Sequence, residues 1–473
     1  VASLTKNPDY ALKHTDPGTG FGLLYSEKLN DCVFVNPLAA ALWRAPVDEI
    51  DPERDGAVFE RVFGLAGGAD YLRQVVRDMS ARGVLADRDG PDGDHLSAAG
   101  SSAPPAPVGG PFEDGLTPPL EQIYFYATRD CNARCYHCYQ PTFTVKDRSG
   151  DLSQSQIDAG TFLDLLRAAL PLGLRAVKIT GGEPLLRPDL RVIIEGVRRL
   201  GLAVSMETNA FLLDEDMADF LTAKEVDVSI SLDGGSAEVH DSLRGLPGSF
   251  DRATRALELL AARGRDPKAI MAISRRNLAD VEKVLAVVKS RGCDRVKFNP
   301  VNSLGVAGRL RKTNVLLEVG EIMDLYARRA ELEADHGVFL FLEGPPSFAT
   351  VFETVTGHSA VCPFAKILGI LADGSISYCG VGNSCPELIF GKVTAEGFDI
   401  GDFWRTAEAL VHSREVCGGL LEGVCGQCVL VSYCRGSCRA LAYGELGSFA
   451  APHPFCQTAY ERGLFPSHYL RGR

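Results

Sequence analysis

Residues 123–138 read Ile123-Tyr124-Phe125-Tyr126-Ala127-Thr128-Arg129-Asp130-Cys131-Asn132-Ala133-Arg134-Cys135-Tyr136-His137-Cys138. An aromatic-rich apolar run of strand length passes directly into a polar loop that carries three cysteines at spacings of four and three. On a loop at the edge of a sheet these thiolates can converge on one metal group, yet they supply three ligands where a closed structural site needs four. If the group is a [4Fe–4S] cube, one iron stays open to a substrate or cofactor. His137 is held facing away from such a cluster by its neighbours, which gives it a packing role.

Working outward, five more strand-like runs follow, at residues 176–180, 204–208, 226–231, 269–274 and 296–299. Amphipathic stretches lie between them, such as Phe162-Leu165-Leu166-Ala169 and Val281-Val284-Leu285-Val288. Repeated strand–helix alternation implies right-handed crossovers and a parallel sheet, open or curled toward a barrel. Ligands then collect at the C-terminal ends of the strands. The barrel is expected over residues 119–340, and residues 341–473 form a loop-rich, cysteine-rich block in which metal replaces part of the core.

Toward the N-terminus, residues 22–25 and 32–35 read as paired strands around a polar turn. Asn36 offers a cap and Pro37 a first helical position for a helix through Trp43. A last helix carries Tyr71, Leu72, Val75, Val76 and Met79 on one face and stops at Gly83. Residues 1–95 are thus expected to form a hairpin-plus-three-helices module comparable to a winged helix, with Cys32 as a core thiol. The stretch SAAGSSAPPAPVGGP at 97–111 has no charge and one large apolar residue, so residues 96–118 read as a flexible linker that tethers the module.

Composition narrows the function classes. Hydrophobic content of 45% with 23% charge excludes general disorder and fibrous folds. A balance of 49 Lys+Arg against 61 Asp+Glu, net −12, argues against holding nucleic acid, which needs clustered cations. No apolar run reaches the roughly 18 residues of a membrane span, and the first residues lack a secretory pattern, so a cytoplasmic location is expected. Of 14 cysteines, nine fall in the last 112 residues. In a long chain without an export signal such clustering favours metal over disulfides. Cys293, before the sixth strand, reads as structural.

The first cysteine loop resembles the CX3CXΦC signature of the radical S-adenosylmethionine enzymes, with His137 in the aromatic slot. Gly181-Gly182-Glu183-Pro184 after the second strand is similar to that family's GGEP turn. Ser231-Leu232-Asp233-Gly234, with His240, Arg244 and Gly245, resembles its SLDG and HxxxRG segments. The resemblance implies a partial (β/α)6 TIM-type barrel in which Cys131, Cys135 and Cys138 hold a [4Fe–4S] cluster. It implies that Gly181, Gly182 and Glu183 meet the methionyl amino end of S-adenosylmethionine, and that Ser231, Arg244 and Asn209 reach its carboxylate. The open iron would chelate the cofactor, an electron would cleave a sulfur–carbon bond, and the 5′-deoxyadenosyl radical would take hydrogen from substrate.

Farther on, Cys362, then Gly374 and Cys379, then Cys425-x2-Cys428-x5-Cys434-x3-Cys438 and Cys456 resemble the seven-cysteine SPASM pattern. The resemblance implies two auxiliary [4Fe–4S] clusters, one on Cys425, Cys428, Cys434 and Cys456, the other on Cys362, Cys379 and Cys438. Cys385 and Cys417 compete for the fourth place on the latter, alongside an open iron. A four-thiolate zinc site at Cys425, Cys428, Cys434 and Cys438 is the rival reading. With these features, the N-terminal module resembles the peptide-recognition element of ribosomal-peptide maturases. It would bind a precursor's leader by strand addition near residues 32–35. The implied activity is hydrogen abstraction from a core-peptide residue and formation of a thioether, C–C or C–O cross-link. A flavodoxin or ferredoxin would serve as electron donor, and Glu343 is a candidate base. Rival readings are a maturase of folded proteins, whose sulfatase-modifying members carry an acidic residue where this chain has Gly380, and a non-catalytic cluster-bearing scaffold.

Overall fold

The computed structural model describes residues 4–6, 9–16, 21–35, 39–40, 43, 75–77, 79–80, 84–87, 117–140, 143–144, 156–304, 308, 310, 312–350, 353–354, 361–393, 398–417 and 421–471. Near the N-terminus, Ala11–Thr15 (β1), Gly22–Ser26 (β2) and Asp31–Val35 (β3) form an antiparallel sheet in the order β1-β2-β3. The expected hairpin is present, with Leu24 opposite Val33 and Tyr25 opposite Cys32, and β1 extends it. Alternation along the strands sorts their side chains to two faces. Leu24, Val33 and Val35 pack with Ala39, Ala40, Val75, Val76 and Met79. Leu23 and Tyr25 pack with Val424, Cys428, Leu430, Cys456 and Phe465 of the C-terminal block. The module is therefore docked rather than merely tethered, because its second apolar face is buried there. Asn36, Pro37, Tyr71, Leu72, Gly83 and the expected linker at 97–111 lie outside the described residues.

Among the described residues the main sheet has ten strands. Its parallel part runs through Gln122–Tyr126 (β4), Ala176–Thr180 (β5), Ala203–Thr208 (β6), Asp227–Ser231 (β7), Lys268–Ile273 (β8), Arg295–Pro300 (β9) and Phe339–Leu342 (β10). Each of these is hydrogen-bonded in parallel to the next, so all six expected strands occur, within two residues of the expected ends, and β10 is a seventh. On the other side of β4, Ile367–Ile370 (β11) pairs in parallel with it. Ser375–Ser377 (β12) and Ile389–Lys392 (β13) then continue antiparallel. The cysteine-rich block thus shares one sheet with the barrel, and β10 spans the boundary expected at 340/341.

Helices cover the outer face. Asp158 caps Ala159–Ala169 (α1) by accepting from the Thr161 N–H at 2.9 Å, and Phe162, Leu165, Leu166 and Ala169 face the sheet. Phe162 stacks on Phe125 of β4 at 3.8 Å between ring centroids. Burying such a ring is worth about 1.5–3 kcal/mol. Val281, Val284, Leu285 and Val288 are the buried stripe of Val281–Ser290 (α2). This stack fixes the β strands so that their C-terminal ends, with the loops they carry, share one rim.

Candidate functional site

Cys131 follows β4 on that rim and is buried. Burial pushes its thiol up to about 12, and the neighbouring Cys135 and Cys138 push in the same direction, so the three sulfurs form one group. Thiols held neutral in this way release protons when a metal group binds. The loop is fastened to the helix Ala237–Arg244 (α3): the Arg134 N–H donates to the Arg244 carbonyl at 2.9 Å, and the Arg244 guanidinium reaches Cys135 Sγ at 3.6 Å. Arg244 Nε lies 2.6 Å from Asp233 Oδ2. His137 Nε2 lies 3.5 Å from the same oxygen, so His137 packs against Asp233, as its expected packing role requires. Asp233 Oδ1 accepts from the Ala272 N–H at 2.8 Å. Burial alone would raise the Asp233 carboxyl, but Arg244, His137 and His240 outweigh it and hold the group below the usual carboxylate range.

The Gly-Gly-Glu turn sits against this loop. The Gly182 N–H donates to Thr128 O and the Glu183 N–H to Asp130 O, both at 2.7 Å. A Cβ on Gly182 would lie 2.0 Å from Asp130 O, and one on Gly181, at φ +138°, 2.7 Å from Thr128 O. Glycine is required here for approach to the cysteine-bearing strand. The Glu183 carboxylate is fully buried and accepts from Thr208 Oγ1 at 2.5 Å, the Asn209 N–H at 2.8 Å and the Leu185 N–H at 3.1 Å. Its oxygens are thus used to tie the turn to the end of β6. Asn209 donates to Asn132 Oδ1 at 2.7 Å and stands 4.0 Å from Cys131 Sγ. Ser231 ends β7 on the same rim. The Asn132 Nδ2 is buried without a partner among the described residues, a polar atom left over where a cluster and cofactor would sit.

The C-terminal thiols divide into two groups. Burial pushes Cys456 well up, with further contributions from Cys425, Cys434 and Cys428. These four line one cavity with Ser347, His453 and Gly436. Cys362 is raised by burial and then by Cys438 and Cys379. Cys438 therefore falls with Cys362 and Cys379, not with the three thiols the zinc reading gave it. Among the described residues no three His, Cys, Asp or Glu side chains gather where a single ion would sit. A cubane asks for less convergence, because its ligands bind different corners. Cys385 is close enough to Cys379 to raise it, whereas Cys417 ends the helix Glu408–Cys417. Between the two groups, the buried Arg439 guanidinium donates to Phe449 O, Ala451 O and Gly436 O. Burial and the Arg439 charge push His453 down to about 3.

The barrel lumen holds residues that motif reading did not single out. Lys178 of β5 pairs with Glu207 of β6 at 2.5 Å, and Lys297 of β9 with Glu343 at 2.6 Å. Glu343 keeps 54% of its side chain accessible although protein lies on all sides, as expected of a group facing an open interior. Burial first, and then its neighbours Cys362, Glu207, Cys379 and Glu343, push the Tyr124 hydroxyl of β4 up. The first auxiliary thiols and the ion pairs therefore face the same space. The available signal was a charged residue at an inner position of an otherwise apolar strand, as in Ala176-Val177-Lys178-Ile179-Thr180. Gly380, next to Cys379, is packed against Tyr126, whose ring would lie 2.3 Å from an added Cβ, so an acidic side chain would clash there. Cys293 is buried away from all three groups, with Leu257 O 3.8 Å from its sulfur.

At β3, Cys32 Sγ lies 3.3 Å from Ser432 Oγ, and Phe34 meets the Tyr433 ring edge-on at 4.8 Å. Both contacts reach the helix Val431–Cys434 (α4), which ends on a member of the cavity group. The residues 32–35 thus stand on the C-terminal block. No helix among the described residues is long and apolar enough to cross a membrane.

Residues 125–288 match the model of the Radical SAM superfamily. The chain is 29% identical over 372 residues to the mycofactocin maturase MftC of Mycobacterium ulcerans, covering 74% of this chain and 90% of that protein. It is 27% identical over 349 residues to the AdoMet-dependent heme synthase of Methanosarcina barkeri, covering 71% and 95%. In fold it resembles Streptococcus suis SuiB bound to its precursor peptide SuiA, with a TM-score of 0.57 at 15% identity over 96% of this chain and 100% of that one. It also resembles anSMEcpe with bound AdoMet and the Cp18Cys peptide, with a TM-score of 0.54 at 20% identity over 73% and 98%.

Proposed function

We propose that this chain, a radical SAM enzyme that works with S-adenosylmethionine and a [4Fe–4S] cluster, installs a cross-link in a ribosomally made peptide. Cys131, Cys135 and Cys138 would hold the radical cluster, and Cys425, Cys428, Cys434 and Cys456 a second. Cys362, Cys379 and Cys438 would hold a third, with Cys385 and Cys417 competing for its fourth place. Bound S-adenosylmethionine supplies the carbon radical that takes one hydrogen atom from the peptide. Closing the cross-link removes a second hydrogen: a lumen carboxylate takes the proton, and a cluster on the auxiliary thiols would supply the one-electron acceptor that the balance requires. Glu343 is the carboxylate we assign, since Lys297 keeps it ionised and it opens on that space. Asn209, Ser231 and Arg244 would orient the cofactor, while Glu183 would act through the turn it fastens.

The observation that carries the peptide reading is the N-terminal sheet, docked by one face on the C-terminal block with β3 at its border. A peptide can add there as a further strand, so that backbone bonds give affinity. The fold likeness to SuiB, which spans the module, supports it. The heme synthase relative favours a second reading, a tetrapyrrole substrate. Anaerobic reaction of the reconstituted enzyme with reductant, S-adenosylmethionine and candidate substrates separates the two. The peptide reading expects 5′-deoxyadenosine together with a product lighter by two hydrogens. Turnover of a tetrapyrrole with inert peptides would replace it, and no cofactor cleavage with all clusters present would remove both.

A further inference from the structure

We propose that His453 donates a hydrogen bond to the metal–sulfur group held by Cys425, Cys428, Cys434 and Cys456, and thereby raises its reduction potential. The inference rests on assigning those four thiols to one cluster and adds a donor they cannot provide. The imidazole lines the same cavity as the thiols. It is 5% exposed, and its Nδ1 is buried with no partner among the described residues. Leaving such an atom unpaired is destabilising, so the occupant of the cavity is its natural partner. The other lining side chains are those of Ser347, Val424, Leu430, Val431 and Phe465, none of them a carboxylate or an amide.

The backbone holds the ring in place. His453 has φ −62° and ψ 124° and is followed by Pro454, which fits the extended conformation that a residue before proline prefers. Pro454 opens the helix Pro454–Glu461, which carries Cys456. The His453 N–H donates to Cys425 Sγ at 3.3 Å. The residue is thereby tied to one thiol directly and linked to another by a single helical turn. Hydrogen bonds to the sulfurs are one of the levers that set an iron–sulfur potential. A fixed donor favours the more negative, reduced state, as charge-assisted bonds do.

The test compares reconstituted wild type, His453→Phe and His453→Gln by iron content and by redox titration followed with electron paramagnetic resonance. His453→Phe is expected to retain the iron but to shift one cluster's reduction equilibrium about tenfold toward the oxidised form, ~59 mV for one electron. The other signals should stay in place, and His453→Gln, which keeps an N–H, should fall near wild type. Unshifted potentials in the Phe variant, or equal shifts in both, overturn the proposal. Should the Phe variant lose the cluster, pulsed resonance on 15N-histidine-labelled wild type decides: a weak nitrogen coupling absent from His453→Gln supports the bond. No coupling, or one large enough for direct ligation, refutes it. A Cys425→Ala, Cys428→Ala double variant that keeps wild-type iron and signals would instead remove the cluster assignment itself.

Discussion

The N–H of Glu183 donates to the carbonyl of Asp130 at 2.7 Å, so the Gly-Gly-Glu turn is bonded to the residue directly before Cys131. Gly182→Ala would place a methyl 2.0 Å from that carbonyl and push the cysteine loop outward. Its expected result is loss of one cluster's iron and of cofactor cleavage, with the secondary structure retained. Iron analysis with circular dichroism checks both, and full iron in the variant would count against the coupling.

Asp233 forms a buried ion pair with Arg244, and His137 packs against the same carboxylate oxygen. Asp233→Asn leaves the guanidinium without its counter-charge, a change that costs about 3–5 kcal/mol. Because the folded carboxyl is held below its ordinary value, its contribution is fully present above about pH 3.9 and is lost as the pH falls through the folded value. The variant should therefore be less stable at neutral pH, and the difference should shrink in strong acid. Denaturant melts at several pH values measure this.

Cys434 and Cys438 are four residues apart, yet they belong to different thiol groups. Cys434→Ala and Cys438→Ala should each remove a different auxiliary signal and leave the other. A single shared loss on both substitutions would restore the zinc-type grouping.

Lys297 is the leading cause of the lowered Glu343 carboxyl. Glu343→Gln should cut product formation at least tenfold while cofactor cleavage continues. Lys297→Met should let the carboxyl rise, so the acid limb of product formation moves to higher pH. Product and 5′-deoxyadenosine, measured together across pH, separate this from a general loss of activity.

Much of the barrel was legible in sequence because each strand from β4 to β9 couples alternating apolar residues to a turn, and each helix such as α1 shows its stripe. The cysteine loop after β4 was legible as a motif because its spacing is local. What escaped depends on distant partners. The runs Phe339-Leu340-Phe341-Leu342 and Ile367-Leu368-Gly369-Ile370 become strands only by pairing with β9 and β4. The lumen pairs arise when Lys178 meets a residue of the next strand, and the docked face of the module depends on Leu23 and Tyr25 finding the C-terminal block. No short window of sequence carries those relations.

The pairing of β11 with β4 has a consequence for how the chain is made and handled. The strand that leads into the radical loop gains its second neighbour about 245 residues later, where Glu121 also meets Lys366 at 2.9 Å. Until the ribosome has released that segment, β4 presents an open row of N–H and C=O groups, the template on which strands of other chains aggregate. A barrel cut free of the cysteine-rich block would keep that edge bare, so the two regions are expected to be soluble only when expressed together.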